Sequence, residues 1–138
     1  MNGQDFQRLA VERLEDAKVL LAAHRYSAAF YVGGYAIECS LKACICKKTK
    51  AGDFPPRPEE IRRIYTHKLV DLARSAGIEA DLEKERKSNP NFELNWKVVE
   101  GWSEEDRYQQ KTQKEATDLV AEIDDPKYGV IQWLRKSW

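Results

Sequence analysis

The sequence predicts an all-α fold: a helical bundle of four to five main helices in an up-down arrangement around a long central hairpin. Two stretches and one absence predict it. From Asp5 to His24, Phe6, Leu9, Ala10, Ala17, Leu20, Leu21 and His24 recur at three-four spacing, with Arg8, Glu12, Glu15 and Lys18 opposite. From about Ser27 to Lys48 the chain is apolar on nearly every side until its final turn, the pattern of a helix covered by several neighbours. No stretch shows the period-two alternation of a half-buried strand, and there is no internal repeat.

The remaining elements follow from their punctuation. Ser27 is a candidate N-cap for the second helix, and Gly33-Gly34 inside it predicts close approach of another backbone. Three prolines and a glycine between Ala51 and Pro58 end the helical pattern. Thr66 is placed to cap a helix running to Ser75, with Gly77 as its stop. Glu79 to Lys87 reads as charged and exposed, and Ser88-Asn-Pro-Asn breaks it. Phe92 to Trp102 reads as an amphipathic turn or helix with Leu94, Trp96, Val98 and Val99 as its apolar set, and Ser103 to Gln110 as a polar loop. Lys111 to Ile123 is a further helix with Ala116, Leu119, Val120 and Ile123 inward, and Pro126 suits the first turn of a last one.

Length and composition bound the function. One hundred and thirty-eight residues suit a single domain, 1–138. With 42% hydrophobic and 33% charged residues, the chain can bury a core without being disordered. The apolar run from Tyr26 to Cys46 carries Glu38 and Lys42 near its centre, which argues for a core helix and against a membrane span. The first residues lack a basic-then-apolar leader, so the cytosol is the expected compartment. Cys39, Cys44 and Cys46 share one helix and read as small core hydrophobes; no metal set and no cofactor fingerprint is present.

The formal net charge is zero, but its distribution is uneven. Between Lys42 and Lys68 eight bases face three acids, giving 8 − 3 = +5; between Leu69 and Asp125 fifteen acids face eight bases, giving 8 − 15 = −7. A basic band of that kind either holds a phosphate backbone or is a solvated loop.

The second helix carries a recognisable motif. Tyr31-Val-Gly-Gly-Tyr-Ala-Ile-Glu-Cys-Ser-Leu-Lys-Ala43 resembles the "YxAGYAxECxLKA" segment of one branch of HEPN domains. Thr66-His67-Lys68-Leu69 resembles the "THDL" that opens that branch's next helix, and Arg107-Tyr108 resembles its "RY". The resemblance implies a bundle of four or five helices, usually a homodimer, that binds nucleotides or RNA. It also implies, in many members, metal-independent ribonuclease activity, a place in a toxin–antitoxin or defence system, and a nucleotidyltransferase partner. The family's nucleases carry Arg, four to six residues, then His at a late helix. Here the last histidine is His67, and the matching string, Arg62 to His67, lies in mid-chain.

Arg62 and His67 are therefore the candidate catalytic pair, since RNA cleavage without metal needs a base, an acid and a cation for the phosphorane. Arg63, Lys68, Lys47, Lys48, Arg107 and Tyr108 are the candidate nucleotide- or RNA-binding residues. Glu38 and Lys42, one helical turn apart, form the expected structural polar network, with Arg107 and Tyr108 as further partners for Glu38. The alternative role for His67 is to cap or pack against its helix start. Three classes of function follow: an RNA- or nucleotide-binding module, an inactive module that binds a partner protein, and a small-molecule-binding bundle, the last without a dedicated signal.

Overall fold

The computed structural model describes residues 1–49, 62 and 64–138. Every regular element among them is helical, and five helices reach ten residues or more. They are α1 (Gly3–Ala22), α2 (Tyr26–Lys48), α4 (Glu79–Ser88), α5 (Pro90–Glu100) and α6 (Gln113–Asp124). Two shorter helices, α3 (Leu69–Ser75) and α7 (Val130–Leu134), pack with them among the described residues. A short 3-10 helix, Glu104–Tyr108, joins α5 to α6, and another, Arg135–Ser137, follows α7. The Pro-rich run near Ala51 and the candidate Arg63 lie outside the described residues.

The hairpin of α1 and α2 is built by its ends. Asn2 caps α1 by accepting from the Asp5 amide at 2.9 Å while the Asp5 carboxylate accepts from the Asn2 amide at 2.9 Å, so two otherwise unpaired donors are satisfied. At the other end the Arg25 amide donates to Leu20 O at 2.8 Å and the His24 amide to Leu21 O at 3.1 Å. This closure needs a left-handed residue, and His24 takes it with φ of 61°. His24 is thus an exposed turn residue, bonded to the Tyr26 hydroxyl at 2.7 Å, and not part of the apolar face on which its spacing placed it.

α2 is the axis of the molecule, with thirteen of its 23 residues buried. α1 covers it with Ala10, Leu14 and Ala17, α6 with Leu119 and Ile123, and α3 with Leu69 and Leu72. Phe92, Trp96 and Val99 of α5 and Val130, Ile131 and Leu134 of α7 extend the same core. Its first turn is capped by no side chain; Ser27 instead accepts from the Lys111 amide at 2.8 Å, tying the start of α2 to the approach of α6.

The two glycines of α2 have different neighbours. A Cβ at Gly33 would meet Ile123, Leu119 and Val120 side chains at 3.6–3.7 Å, ordinary contact distances. A Cβ at Gly34 would overlap the pyrrole part of the Trp102 indole. The close approach is therefore made by an indole rather than by a second backbone. Trp102, 4% exposed, also stacks on Tyr31 with centroids 5.8 Å apart.

Local chemistry explains the other departures from the sequence expectations. Thr66 does not cap α3; its hydroxyl accepts from the Lys68 amide at 3.2 Å, one residue ahead of the helix, and Lys68 is the capping position. Gly77, at φ 71°, does end α3, with the Ile78 amide reaching back to Ala73 O at 3.3 Å. The charged stretch from Glu79 forms α4 and buries Leu82. In α5 the inward residues are Phe92, Asn95, Trp96 and Val99, whereas Leu94 and Val98 are 64% and 39% exposed. Pro126 lies in a turn before α7, where the Asp125 carboxylate accepts from the amides of Lys127 and Tyr128 at 2.9 and 2.6 Å.

Two predictions test this packing. Gly34→Ala should destabilise the protein by about 3 kcal/mol or more, because the well-packed indole has nowhere to go. Gly33→Ala should be neutral or stabilising by up to about 1 kcal/mol, since it gains helix propensity without a clash. Equilibrium urea denaturation of both variants reads the contrast. Burial pushes the Cys39 and Cys44 thiols up to about 11, from an ordinary value of 9.0. Between those values the unfolded chain has released protons that the folded chain retains, so stability should fall as pH rises from about 9 to about 11. The fall should be shallower in a Cys39→Ala, Cys44→Ala double variant.

Candidate functional site

Glu38 sets the geometry of the site. Its side chain faces the core from the middle of α2 at 1% exposure, where an unpartnered carboxylate would be costly. Lys42, one turn later, donates from Nζ to Glu38 Oε1 at 2.9 Å. His67 reaches the same oxygen through Nδ1 at 2.7 Å. Arg107 and Tyr108 are not the partners of Glu38; the histidine from the segment before α3 takes that place.

His67 continues the network outward. Its Nε2 lies 3.4 Å from Glu104 Oε2, so one imidazole connects α2, the approach to α3 and the 3-10 helix. That 3-10 helix is braced from below. Ser103 and Asp106 cap it reciprocally, and the Asp106 carboxylate pairs with Lys111 Nζ at 3.1 Å, both side chains largely buried. Lys111 also sits over the Phe30 ring at 4.5 Å, which fixes the position of the loop against α2.

His67 opens onto a groove of about 370 Å³, whose walls include Lys68, Asp71, Glu100, Trp102 and Glu104. Carboxylates outnumber cations there, so the groove disfavours a bare phosphate. Arg62 lines a separate hollow of about 330 Å³ with Thr66, Asp71 and Arg74. Arg62 and His67 therefore face different cavities, which share Asp71 as a common wall.

The third component is aromatic and cationic. Arg107 lies over the Tyr108 ring at 4.7 Å, and Tyr108 is 73% exposed. The neighbouring Tyr108 and Tyr31 hydroxyls hold the Arg107 guanidinium above its ordinary range. Tyr31 stacks on Trp102, and Trp102 lines the His67 groove; the platform sits on the same 3-10 helix as Glu104 of that groove.

Lys47 and Lys48 are tied elsewhere. Lys47 Nζ donates to Trp138 O at 3.2 Å and Lys48 Nζ to Ser75 O at 3.3 Å, so each fastens the end of α2 to another segment. The basic band of the sequence is thus dispersed among the described residues. Glu104 and Trp102 were missed as site residues. The short Ser-x-x-Asp capping pattern at Ser103–Asp106 was the one signal that marked this loop as ordered. No group of His, Cys, Asp and Glu among the described residues is arranged to hold a metal ion, and no described helix is long and apolar enough to cross a membrane.

The buried pair can be tested alone. Lys42→Ala should cost about 2 kcal/mol, because Glu38 then keeps a single partner in a dry site. Urea denaturation of this variant and of a Glu38→Gln, Lys42→Ala double variant gives the measurement; the double variant should recover part of the loss.

Comparison with known proteins bears on the whole chain. A search of curated proteins and of solved structures finds no significant match. The family model for the HEPN domain matches residues 4–124 of the 138-residue chain, from the start of α1 to the end of α6. The chain belongs to the HEPN domain family.

Proposed function

We propose that this chain is a nucleotide- or RNA-binding module that holds an unpaired base on its Arg107–Tyr108 platform, beside the groove that contains His67. Family membership supports a nucleotide- or RNA-related role in general. The observation that carries the specific reading is the exposed Tyr108 ring with Arg107 over it, on the 3-10 helix that also carries Glu104 of the groove. An exposed ring with a guanidinium suits base stacking, which tolerates any sequence and needs no phosphate-binding pocket. The sign of the groove favours this route over phosphate capture, and the Arg62–Arg74 hollow next to it is the better place for a backbone phosphate.

Cleavage is the finer form of the proposal. His67 would act as the base, with Glu38 behind it, and Arg62 would support the phosphate; a homodimer would supply a second set. In that form the protein is a metal-independent ribonuclease and the toxin half of a two-gene system whose other half is a nucleotidyltransferase. A second reading, an inactive module that binds a partner protein, is favoured by Leu94 and Val98, exposed one turn apart on α5.

Fluorescence anisotropy with a short labelled single-stranded RNA tests the binding claim. Tyr108→Ala should weaken binding about five- to a hundredfold, the value of one lost stacking partner. Undiminished binding by that variant would sink the platform reading. Incubating wild type and His67→Ala with total RNA in EDTA separates the finer forms: degradation that disappears in the variant supports cleavage. RNA left intact by both proteins favours the non-cleaving module.

A further inference from the structure

One imidazole stands between two carboxylates. His67 Nδ1 lies 2.7 Å from Glu38 Oε1, and Nε2 lies 3.4 Å from Glu104 Oε2. An ionised carboxylate only accepts, and a neutral imidazole has a single N–H, so the neutral ring can serve one of these oxygens and the imidazolium both. The two claims on the ring are unequal. Glu38 is 1% exposed, with Lys42 as its other described donor, so it keeps the Nδ1 proton in either charge state. The Glu104 side chain is 37% exposed and can turn to water instead. The inner contact is permanent and the outer one conditional.

We propose that His67 is a pH-controlled strap: as imidazolium it fastens the first turn of the 3-10 helix Glu104–Tyr108 to α2, and on losing its Nε2 proton it lets that turn go. Among the described residues the charged groups around the ring are Glu38 and Lys42 of α2, Lys68 and Asp71 at α3, Glu100 of α5, and Glu104 and Glu105 of the 3-10 helix. Asp71 and Glu100 have arginines beside them, Arg74 at 3.8 Å and Arg86 at 3.9 Å, which leaves Glu104 as the outer partner of the ring. With the neutral ring, bare Nε2 and the Glu104 carboxylate face each other as two acceptors, and the contact is lost. The buried Asp106–Lys111 pair holds the far side of the loop without a histidine, so the release is confined to the groove wall. The chain's other histidine, His24, is bonded to Tyr26 in the α1–α2 turn. The sign follows from the charge: the strap is closed below the titration of His67 and opens as pH rises through it, within the span of about pH 5 to 8 over which histidines change charge. It works without a ligand, so its failure leaves the nucleotide-binding reading untouched.

The test follows two signals together in the full chain from about pH 5 to 8. One is the imidazole nitrogen chemical shifts of His67. The other is the hydrogen-exchange protection, corrected for intrinsic pH dependence, of the Asp106 and Gln109 amides, which donate to Ser103 O and Asp106 O within the 3-10 turn. Protection should fall about two- to fivefold as the imidazole loses its proton, the factor that one partly exposed ion pair supplies. Glu104→Gln should keep the protection and lose its pH dependence, because an amide can accept from the imidazolium and donate to the neutral ring. Glu104→Ala should show the lower protection throughout, and neither variant disturbs the buried Glu38–Lys42 pair. Protection that does not follow the imidazole titration overturns the strap, as does an unchanged pH dependence in Glu104→Gln. A neutral ring that carries its proton on Nε2 overturns it as well.

Discussion

A carboxylate in the middle of the central helix constrains much of what surrounds it. Glu38 is 1% exposed, and such a group persists in a core only where donors reach it. Lys42 supplies one donor from the same helix, a relation fixed by the helical repeat alone. The second comes from His67, and it requires the chain to return to α2 after the segment outside the described residues. The start of α3 is thereby placed, and through Glu104 so is the 3-10 helix that carries Arg107 and Tyr108. Stability and site geometry share one set of atoms, so substitutions at Glu38 or His67 act on both.

The packing around α2 explains how the aromatic part of the site reaches this network. Gly34 leaves room for Trp102 to lie against the helix, and Trp102 in turn supports Tyr31. With a side chain at position 34 the indole would be displaced from the groove wall and from Tyr31. The glycine's role is thus one of close approach, and its helix-propensity cost of about 1 kcal/mol is offset by burial of the largest side chain type in the protein.

Charge separates the surface into regions with different capacities. The groove beside His67 is acidic, the hollow beside Arg62 is lined by two arginines, and the platform offers a ring under a guanidinium. On the proposed reading the platform would take a base and the hollow a backbone phosphate. The two lysines at the end of α2 do not join this set, because each is engaged by a backbone carbonyl of another segment.

The all-helical class, the α1–α2 hairpin and the inward face of α6 were legible in the residues, because they rest on local periodicity and on helix ends. The same is true of the Glu38–Lys42 pair, set by a four-residue spacing. Spacing misplaced His24, since the left-handed position at a helix end falls in register with the apolar face before it. It also misjudged Leu94 and Val98, which lie beside the inward stripe of α5 without belonging to it. Which residue answers Glu38 across the fold was beyond sequence reasoning: Arg107, Tyr108 and His67 all have suitable chemistry, and only the path of the chain between helices decides which arrives. The sequence by itself determined the main helices, the stop at Gly77 and the need for a partnered carboxylate, all of which depend on residues a few positions apart. The tertiary structure alone decided that His67 and Glu104 meet at one groove while Arg62 faces another, because those contacts depend on how distant segments cross.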